Sequence, residues 1–278
     1  MKIAAFNVKK LGKKKVNDPF VRSHLIKIVS RYSVVVMLEV VDKSNTVMKN
    51  FLIQLNKYGR NKQHPYSMQD SKPLGRDTYK EKFVYLFRYE VNNSLQMKAE
   101  YIVQKLVLIP VHTKPKDTVT EMEALQDVVQ AVRKKWQTDN IMILGDFNAD
   151  GRYLSQKKKK IRISSAPYHW LIQDDVDTTT SNWNDHTYDR IVVYGKTMLN
   201  AVVQNSAKPF NFQREFKLTD QEASEISDHY PVEVELKTKP TKGNTHKKAG
   251  AQKKTAGPAK RKAGPSTDTP AKRRRGDL

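Results

Sequence analysis

Cysteine is absent from this sequence. Its absence excludes disulfides, cysteine nucleophiles and thiolate zinc sites together, and it fits a reducing compartment. No apolar run approaches the length of a bilayer-crossing helix. No secretory leader is legible, because Met1 runs straight into the strand-like Lys2-Ile3-Ala4-Ala5-Phe6. The expectation is a chain that stays inside the cell, or one written from a mature start. Lipidation signals and a strong amphipathic basic helix are also lacking, which argues against a membrane surface as partner. Acids are scarce beside bases: 29 Asp/Glu against 51 Lys/Arg, a formal net charge of +22.

The cationic excess is concentrated at one end. Residues 237–278 hold 14 Lys/Arg and two Asp, a net of +12, which leaves +10 for residues 1–236. That final stretch has no aromatic and no β-branched apolar side chain, yet five of the 11 glycines. It cannot bury enough apolar surface to offset its ordering entropy, so 237–278 is read as a disordered basic arm. Residues 1–236 suffice for one domain with a substantial core. Two basic parts point to a polyanion, since counterion release from a nucleic acid gives a sequence-independent affinity.

Three segments have helical period. Asp18-Pro19 offers an N-cap and a proline at the first helical position, ahead of a face of Val21, Leu25, Ile28 and Val29. Val47, Met48, Phe51, Leu52 and Leu55 make a second stripe that stops near Gly59. Thr118-x-x-Glu121 has the capping-box pattern and leads a third, through Leu125, Val128, Val129 and Val132 to Trp136. Strand-like runs lie at 3–6, 33–38, 83–87, 102–111, 141–144, 190–194 and 232–236. Strands interleaved with helices predict a layered α/β domain, two packed sheets flanked by helices, with a single central sheet as the other arrangement that periodicity allows. Alternation in Val232-Glu233-Val234-Glu235 predicts a strand with one solvated face.

Short polar islands adjoin these runs: Phe6-Asn7, Leu38-Glu39, Tyr79-Lys80-Glu81, Val111-His112, Gly145-Asp146-Phe147-Asn148, Tyr188-Asp189-Arg190 and Ser227-Asp228-His229-Tyr230-Pro231. Acids, amides and histidines gathered at one rim of a sheet are what a metal-assisted hydrolase needs. Of seven histidines, His112 and His229 adjoin strand runs and can be matched to acids elsewhere. His246 lies in the arm, and His24, His64, His169 and His186 sit in helical or loop contexts without adjacent acid motifs. Two imidazoles, each oriented by a carboxylate, suit deprotonation of water and protonation of a leaving oxygen. Glu39 ends the apolar run Val34-Val35-Val36-Met37-Leu38, so burial demands a partner, and a hard cation is the obvious one. Asn7 and Glu39 could share one Mg²⁺, with Asp146 and Asn148 opposite; oxygen ligands suit Mg²⁺, Mn²⁺ or Ca²⁺ rather than zinc. Singly, these islands also read as capped turns or a salt-bridged strand end. Their ordered set is what points to a site.

That set resembles the deoxyribonuclease I family within the endonuclease/exonuclease/phosphatase superfamily. Asn7, Glu39, Gly145-Asp146-Phe147-Asn148 and Ser227-Asp228-His229 suit the whole superfamily. The narrower resemblance rests on Leu74-Gly75-Arg76-Asp77-Thr78-Tyr79-Lys80-Glu81, Tyr188-Asp189-Arg190-Ile191-Val192, Pro209-Phe210-Asn211-Phe212-Gln213 and the stretch from Ser227 through Glu233. The basic extension resembles the lysine-rich tail of gamma-type members. The resemblance implies a four-layer α/β sandwich of two mainly antiparallel sheets, and metal-dependent endonucleolytic cleavage of DNA to 5′-phosphate ends. It implies that Glu81 with His112 and Asp189 with His229 supply base and acid. It further implies that Asn7, Glu39, Asp146, Asn148 and Asp228 hold metal (Mg²⁺ or Mn²⁺, with Ca²⁺) and the scissile phosphate, and that Arg76, Tyr79 and Tyr153 meet the DNA.

Three departures stand out. The link 89–100 replaces a strand pair that in the family carries an Arg-Glu-Pro motif, whose arginine approaches the scissile phosphate, and structural Ca²⁺ ligands. Val41 stands where many members have an arginine reaching the minor groove. The family's disulfide is missing, with Asp150-Gly151 and His186 near the expected positions. Asp177, Thr179 and Ser181 could keep part of a second Ca²⁺ loop, but a Thr-rich solvated loop is the favoured reading. Two basic runs complete the picture: Lys157 to Lys160, a solvated loop or a DNA flank, and the pair Lys260-Arg261-Lys262 and Lys272-Arg273-Arg274-Arg275. The latter has the spacing of a bipartite nuclear-import signal, though a non-specific DNA-binding arm would look the same. The expectation is a monomeric nuclear enzyme acting on double-stranded DNA or chromatin, with an import receptor as a further partner; a mature start would make it secreted. Two other readings compete: a weakened or inactive DNA-binding relative, because of the short link, and a phosphodiesterase for small phosphate esters.

Overall fold

Alternation along the first strand sets the layering. In β1 (Lys2–Leu11), Ile3 and Ala5 face one core while Ala4, Phe6 and Val8 face another, as a side-chain period of two requires. The computed structural model describes residues 1–239 except 45, 76–77, 89–101, 104, 151–160 and 184. These lie within one compact unit, Met1–Thr241. The expectations for Arg76, Tyr153, the 89–100 link, the 157–160 lysines and most of the 237–278 arm with its import-like clusters lie outside the described residues. The start of that arm differs from the expectation, since the Lys237 N–H is bound to the Ala201 carbonyl at 2.8 Å and so belongs to the folded unit.

β1 pairs in parallel with β2 (Val34–Val40) and antiparallel with β10 (Val232–Glu235). With β3 (Tyr66–Asp70), β4 (Lys82–Arg88) and β9 (Lys208–Pro209) they form a six-stranded sheet in the order β3-β4-β2-β1-β10-β9. A four-stranded sheet runs β5 (Val107–His112), β6 (Ile141–Asp146), β8 (Asp189–Tyr194), β7 (Tyr168–Trp170). Between the sheets lie Ile3, Ala5, Val36, Leu38, Met142, Leu144, Ile191, Val193, Val232 and Val234. Outside the first sheet pack α2 (Pro19–Val29), α3 (Thr46–Asn56), α6 (Phe212–Phe216) and α7 (Asp220–Ile226), with the short α1 (Lys13–Asn17) beside them. Outside the second packs α4 (Thr118–Trp136), through Met122 and Val129. The remaining helix, α5 (Gly195–Ala201), puts Met198 and Ala201 into the core between the sheets. The fold is the four-layer α/β sandwich, not a single central sheet.

Local signals decide some boundaries. The Asp18 carboxylate accepts from the Val21 N–H at 2.9 Å and starts α2 as expected. At α4 the capping box does not form: Thr118 is already helical, and Glu121 reaches back to the Lys114 N–H at 3.0 Å. A capping box does form at α7, between Thr219 and Glu222. The expected strand 102–111 begins only at Val107. β10 also differs from its pattern. Glu233 is 1% exposed instead of solvated, because β10 lies between β1 and β9 and its carboxylate meets Lys2 Nζ at 2.7 Å and the Tyr32 hydroxyl at 2.9 Å.

Candidate active site

Cross-strand register gathers most of the polar islands. His112 on β5 pairs with Asp146 on β6, and Asp146 pairs with Asp189 on β8, so three strand ends place His112, Asp146 and Asp189 in one row. Each shares strand parity with residues packed between the sheets (Leu108, Leu144 and Ile191), so the row sits at the rim of the sandwich interior. β6 comes this close to β5 because residue 145 is glycine. Its φ is +138°, and a Cβ there would meet the Val111 carbonyl oxygen at 2.1 Å.

The other sheet supplies Asn7 and Glu39. Asn7 follows Ile3 and Ala5 in parity and faces the same interior. Glu39 should not, because Leu38 already does. The pairing of β2 with β4 shifts register between Met37 and Val40, and Glu39 takes φ +57°, which re-aims its side chain toward Asn7. β1 is irregular at the same rim: its register shifts between Asn7 and Leu11, and Lys9 and Lys10 have φ +48° and +51°. With Asn148 at φ +45°, four non-glycine residues in or beside the site hold left-handed backbone conformations. No motif announced the two lysines. Runs of positive φ have no reliable signature in residues other than glycine and asparagine.

Each histidine is held by a carboxylate. His112 Nδ1 lies 2.5 Å from Glu81 Oε1, and His229 Nδ1 lies 2.7 Å from Asp189 Oδ2. Both rings turn Nε2 inward, each 3.7 Å from Asp146 Oδ2; His112 Nε2 is also 3.6 Å from Glu39 Oε1. Asn7 Nδ2 donates to Glu39 Oε1 at 3.0 Å and to Asp146 Oδ2 at 3.1 Å, while its Oδ1 accepts from the Lys9 N–H. Asn7 thus meets the acids with its donor end, and ligation through Oδ1 would require the amide to turn round. Asn148 shapes the turn: its N–H reaches Asp146 Oδ1 at 2.9 Å and its Nδ2 the Thr113 carbonyl at 2.9 Å. Asp228 is half exposed, 3.5 Å from Lys9 Nζ and 4.0 Å from His229 Nε2.

The electrostatics follow from this crowding of acids. Burial opposes a charge on His112, but the Glu81 hydrogen bond and the charges of Asp146, Glu81 and Glu39 outweigh it and raise the ring to about 9. His229 is likewise opposed by burial and raised by Asp189, Asp146 and Asp228, to about 10. Burial lifts Asp189 to about 6 against the pull of His229, so near neutral pH the pair is carboxylate and imidazolium. Tyr79 has a half-exposed ring, and burial with the charges of Glu39 and Glu81 pushes its phenol to about 12, so it remains a neutral hydroxyl.

Among the described residues, one group of three acid or histidine side chains has metal-ligating spacing: Asp146, Asp189 and His229, with donor atoms within 4.8 Å of one another. Asp177 and Thr179 form a local turn, in which Asp177 Oδ1 accepts from both the N–H and the hydroxyl of Thr179. The Thr179 backbone bridges to His229, so this turn buttresses the site. Nearby, Asp150 Oδ2 accepts from the Thr187 N–H at 2.8 Å and lies 3.3 Å from His186 Nδ1.

The chain is similar to known proteins along most of its length. A family model described as the Endonuclease/Exonuclease/phosphatase family matches residues 4–229. Deoxyribonuclease-1-like 1 of Cricetulus griseus is 39% identical over 260 residues, 84% of this chain and 83% of that protein. Deoxyribonuclease-1 of Oryctolagus cuniculus is 36% identical over 263 residues, 85% of this chain and 92% of that protein. Among solved structures, an endonuclease/exonuclease/phosphatase family protein from Leptotrichia buccalis shares the fold, with a TM-score of 0.56 at 16% identity, covering 85% of this chain and 99% of that one.

Proposed function

The chain belongs to the deoxyribonuclease I family of the endonuclease/exonuclease/phosphatase superfamily and is a deoxyribonuclease; on that premise we propose that it is a divalent-metal-dependent endonuclease cutting duplex DNA to 5′-phosphate and 3′-hydroxyl ends. One observation carries this reading: the Nε2 atoms of His112 and His229 each lie 3.7 Å from the same oxygen of Asp146, while each Nδ1 is held by its own carboxylate. One imidazole takes the proton of the attacking water as its oxygen bonds to phosphorus. The other gives its proton to the 3′-oxygen as the P–O3′ bond breaks. Glu81 and Asp189 keep each Nδ1 protonated, so that Nε2 is the nitrogen that exchanges the proton.

The donor set suits a hard divalent ion. Glu39 and Asp146 present carboxylate oxygens to one amide, and Asp228 adds a third acid beside His229. We assign Glu39, Asp146 and Asp228 to its binding, with Asn7 and Asn148 able to join through their amide oxygens. When bound there, Mg²⁺ or Mn²⁺ supplies countercharge to the phosphate. With the fields of Glu39 and Asp146 offset, the His112 ring is freer to be neutral, as a base must be. Tyr79, half exposed beside Glu81, is proposed to lie against the DNA backbone, and the basic surface and arm to supply affinity for DNA or chromatin.

The deciding experiment is digestion of supercoiled plasmid by purified protein with Mg²⁺ and Ca²⁺, beside an EDTA control, followed by end-group analysis. Metal-dependent nicking with 5′-phosphate termini is the expected result. Retarded but intact plasmid would overturn the reading in favour of a DNA-binding relative.

A further inference from the structure

Lys15, on the five-residue α1, is not among the islands above, yet its ammonium group is fully employed beside the site. Nζ donates to the carbonyl oxygens of Val8 at 2.9 Å, Lys9 at 3.0 Å and Ile226 at 2.7 Å. An ammonium has three protons, so all are committed to backbone. In a regular strand consecutive carbonyls point to opposite sides. Here the left-handed turn at Lys9 and Lys10 brings those of Val8 and Lys9 together, out of the ladder. The third acceptor, Ile226, is the last residue of α7, whose terminal carbonyls favour a cation.

We propose that Lys15 is a positioning residue for the hydrolytic reaction: its three-carbonyl clamp fixes the bulge that carries Asn7, Lys9 and Lys10 against the segment that carries Asp228 and His229. Both sides of the clamp lead directly to the site. From the bulge, the Lys10 N–H holds Glu39 Oε2 at 3.0 Å and the Lys9 N–H holds Asn7 Oδ1 at 3.0 Å. Beyond Ile226, the Ser227 hydroxyl donates to the Asn7 carbonyl at 2.7 Å and accepts from the His229 N–H at 3.1 Å. Without the ammonium, the carbonyls of Val8, Lys9 and Ile226 lose their shared donor and their like dipoles push apart, leaving the Ser227 hydroxyl on the Asn7 carbonyl and the exposed Lys9 Nζ on Ser224 to hold the two segments. A shift of about 1 Å in Asn7 or His229 relative to Asp146 suffices to cost about 100-fold in rate.

The inference rests on the assignment of Asn7, Asp228 and His229 to one site, and its test keeps the two apart by first requiring metal-dependent cleavage by the wild type. Lys15→Met is then compared for kcat, KM, DNA affinity in EDTA and Tm. The expected result is a fall in kcat of about 100-fold, with KM and affinity within about threefold, and partial recovery in Lys15→Arg, whose guanidinium can still donate to the carbonyls. A folded Lys15→Met with wild-type kcat would overturn the proposal. So would a rise in KM at unchanged kcat, which would make Lys15 a DNA contact. If Lys15→Met does not fold, Lys15→Gln is measured instead by the same criteria. Failure of both to fold would reduce Lys15 to a purely structural role and equally overturn it.

Discussion

His229 Nδ1 is bonded to Asp189 Oδ2, while the second carboxylate oxygen of Asp189 has no hydrogen-bond partner among the described residues, although the side chain is fully buried. A buried carboxylate with one bonded oxygen directs its stabilisation at that ring. Asp189→Asn keeps the shape but removes the charge and can fix the wrong ring tautomer, so cleavage should fall by about 10⁴-fold, as it does when a carboxylate is amidated in comparable pairs. His112→Ala and His229→Ala should each lower kcat by about 10²- to 10⁴-fold, with DNA affinity in EDTA nearly unchanged. Wild-type turnover in either variant would remove that histidine from proton transfer.

The raised histidines make the metal-free protein sensitive to alkali. A group whose folded pKa lies above its unfolded value stabilises fully below the unfolded pKa and loses that contribution as pH rises through the folded one. For His112 the window runs from about 6.5 to about 9. Lys15, lowered to about 8 chiefly by burial, works in the opposite sense between about 8 and 10.5, so total stability mixes the two. The difference in Tm between wild type and His112→Gln, both in EDTA, cancels the lysine. It should shrink steadily from pH 6.5 to 9, and a constant difference would refute the Glu81–His112 ion pair. His229 is the poorer comparator, because its removal also changes Asp189.

Gly145 is the tightest steric point beneath the site. Ala there would put Cβ 2.1 Å from the Val111 oxygen and 2.9 Å from Leu38 Cδ2, at a φ of +138°. Gly145→Ala should therefore destabilise by about 3 kcal/mol, the upper end of ordinary point substitutions. Denaturant unfolding reads this directly. A wild-type midpoint would mean that β5 and β6 can separate at no cost.

The arm is open to a simpler test. Deleting residues 242–278 removes charge but none of the described core, so Tm should hold while DNA binding weakens and the slope of log affinity against log salt flattens. An unchanged slope would show that those cations do not meet phosphate. If Lys260-Arg261-Lys262 and Lys272-Arg273-Arg274-Arg275 also act in import, the arm fused to an inert cytoplasmic carrier should draw it into the nucleus; a carrier that stays outside would defeat that reading.

Much of the site was legible because strand ends are legible: an apolar run followed by Asn7, Glu39, His112 or Asp146 marks both the strand and its rim. How Leu38 and Glu39 come to serve the same interior was not. Adjacent residues cannot share a face of a regular strand, and the irregularity that allows it follows from pairing with β4. Glu233 misled for a related reason. Alternation reports one polar face, but only the position of β10 between β1 and β9 shows that this face is covered. Thr118 and Glu121 matched a capping pattern one residue inside the helix, whereas Thr219 and Glu222 formed the same motif on a helix too short for periodicity to reveal. Lys15 could not be found from sequence at all, since its three acceptors are backbone carbonyls, which every residue possesses.

The pairing of β1 with β10 has a consequence for the cell that makes this protein. The Ser227 hydroxyl closes on the Asn7 carbonyl across 220 positions of chain, and the first strand to be made lies beside one of the last. Under the roles proposed for Asn7 and His229, a growing polypeptide would carry no competent hydrolytic centre until β10 has left the ribosome. On that reading synthesis itself would act as a safety catch: an aborted translation product lacking β10 and His229 should not cut DNA, whatever cations it already displays.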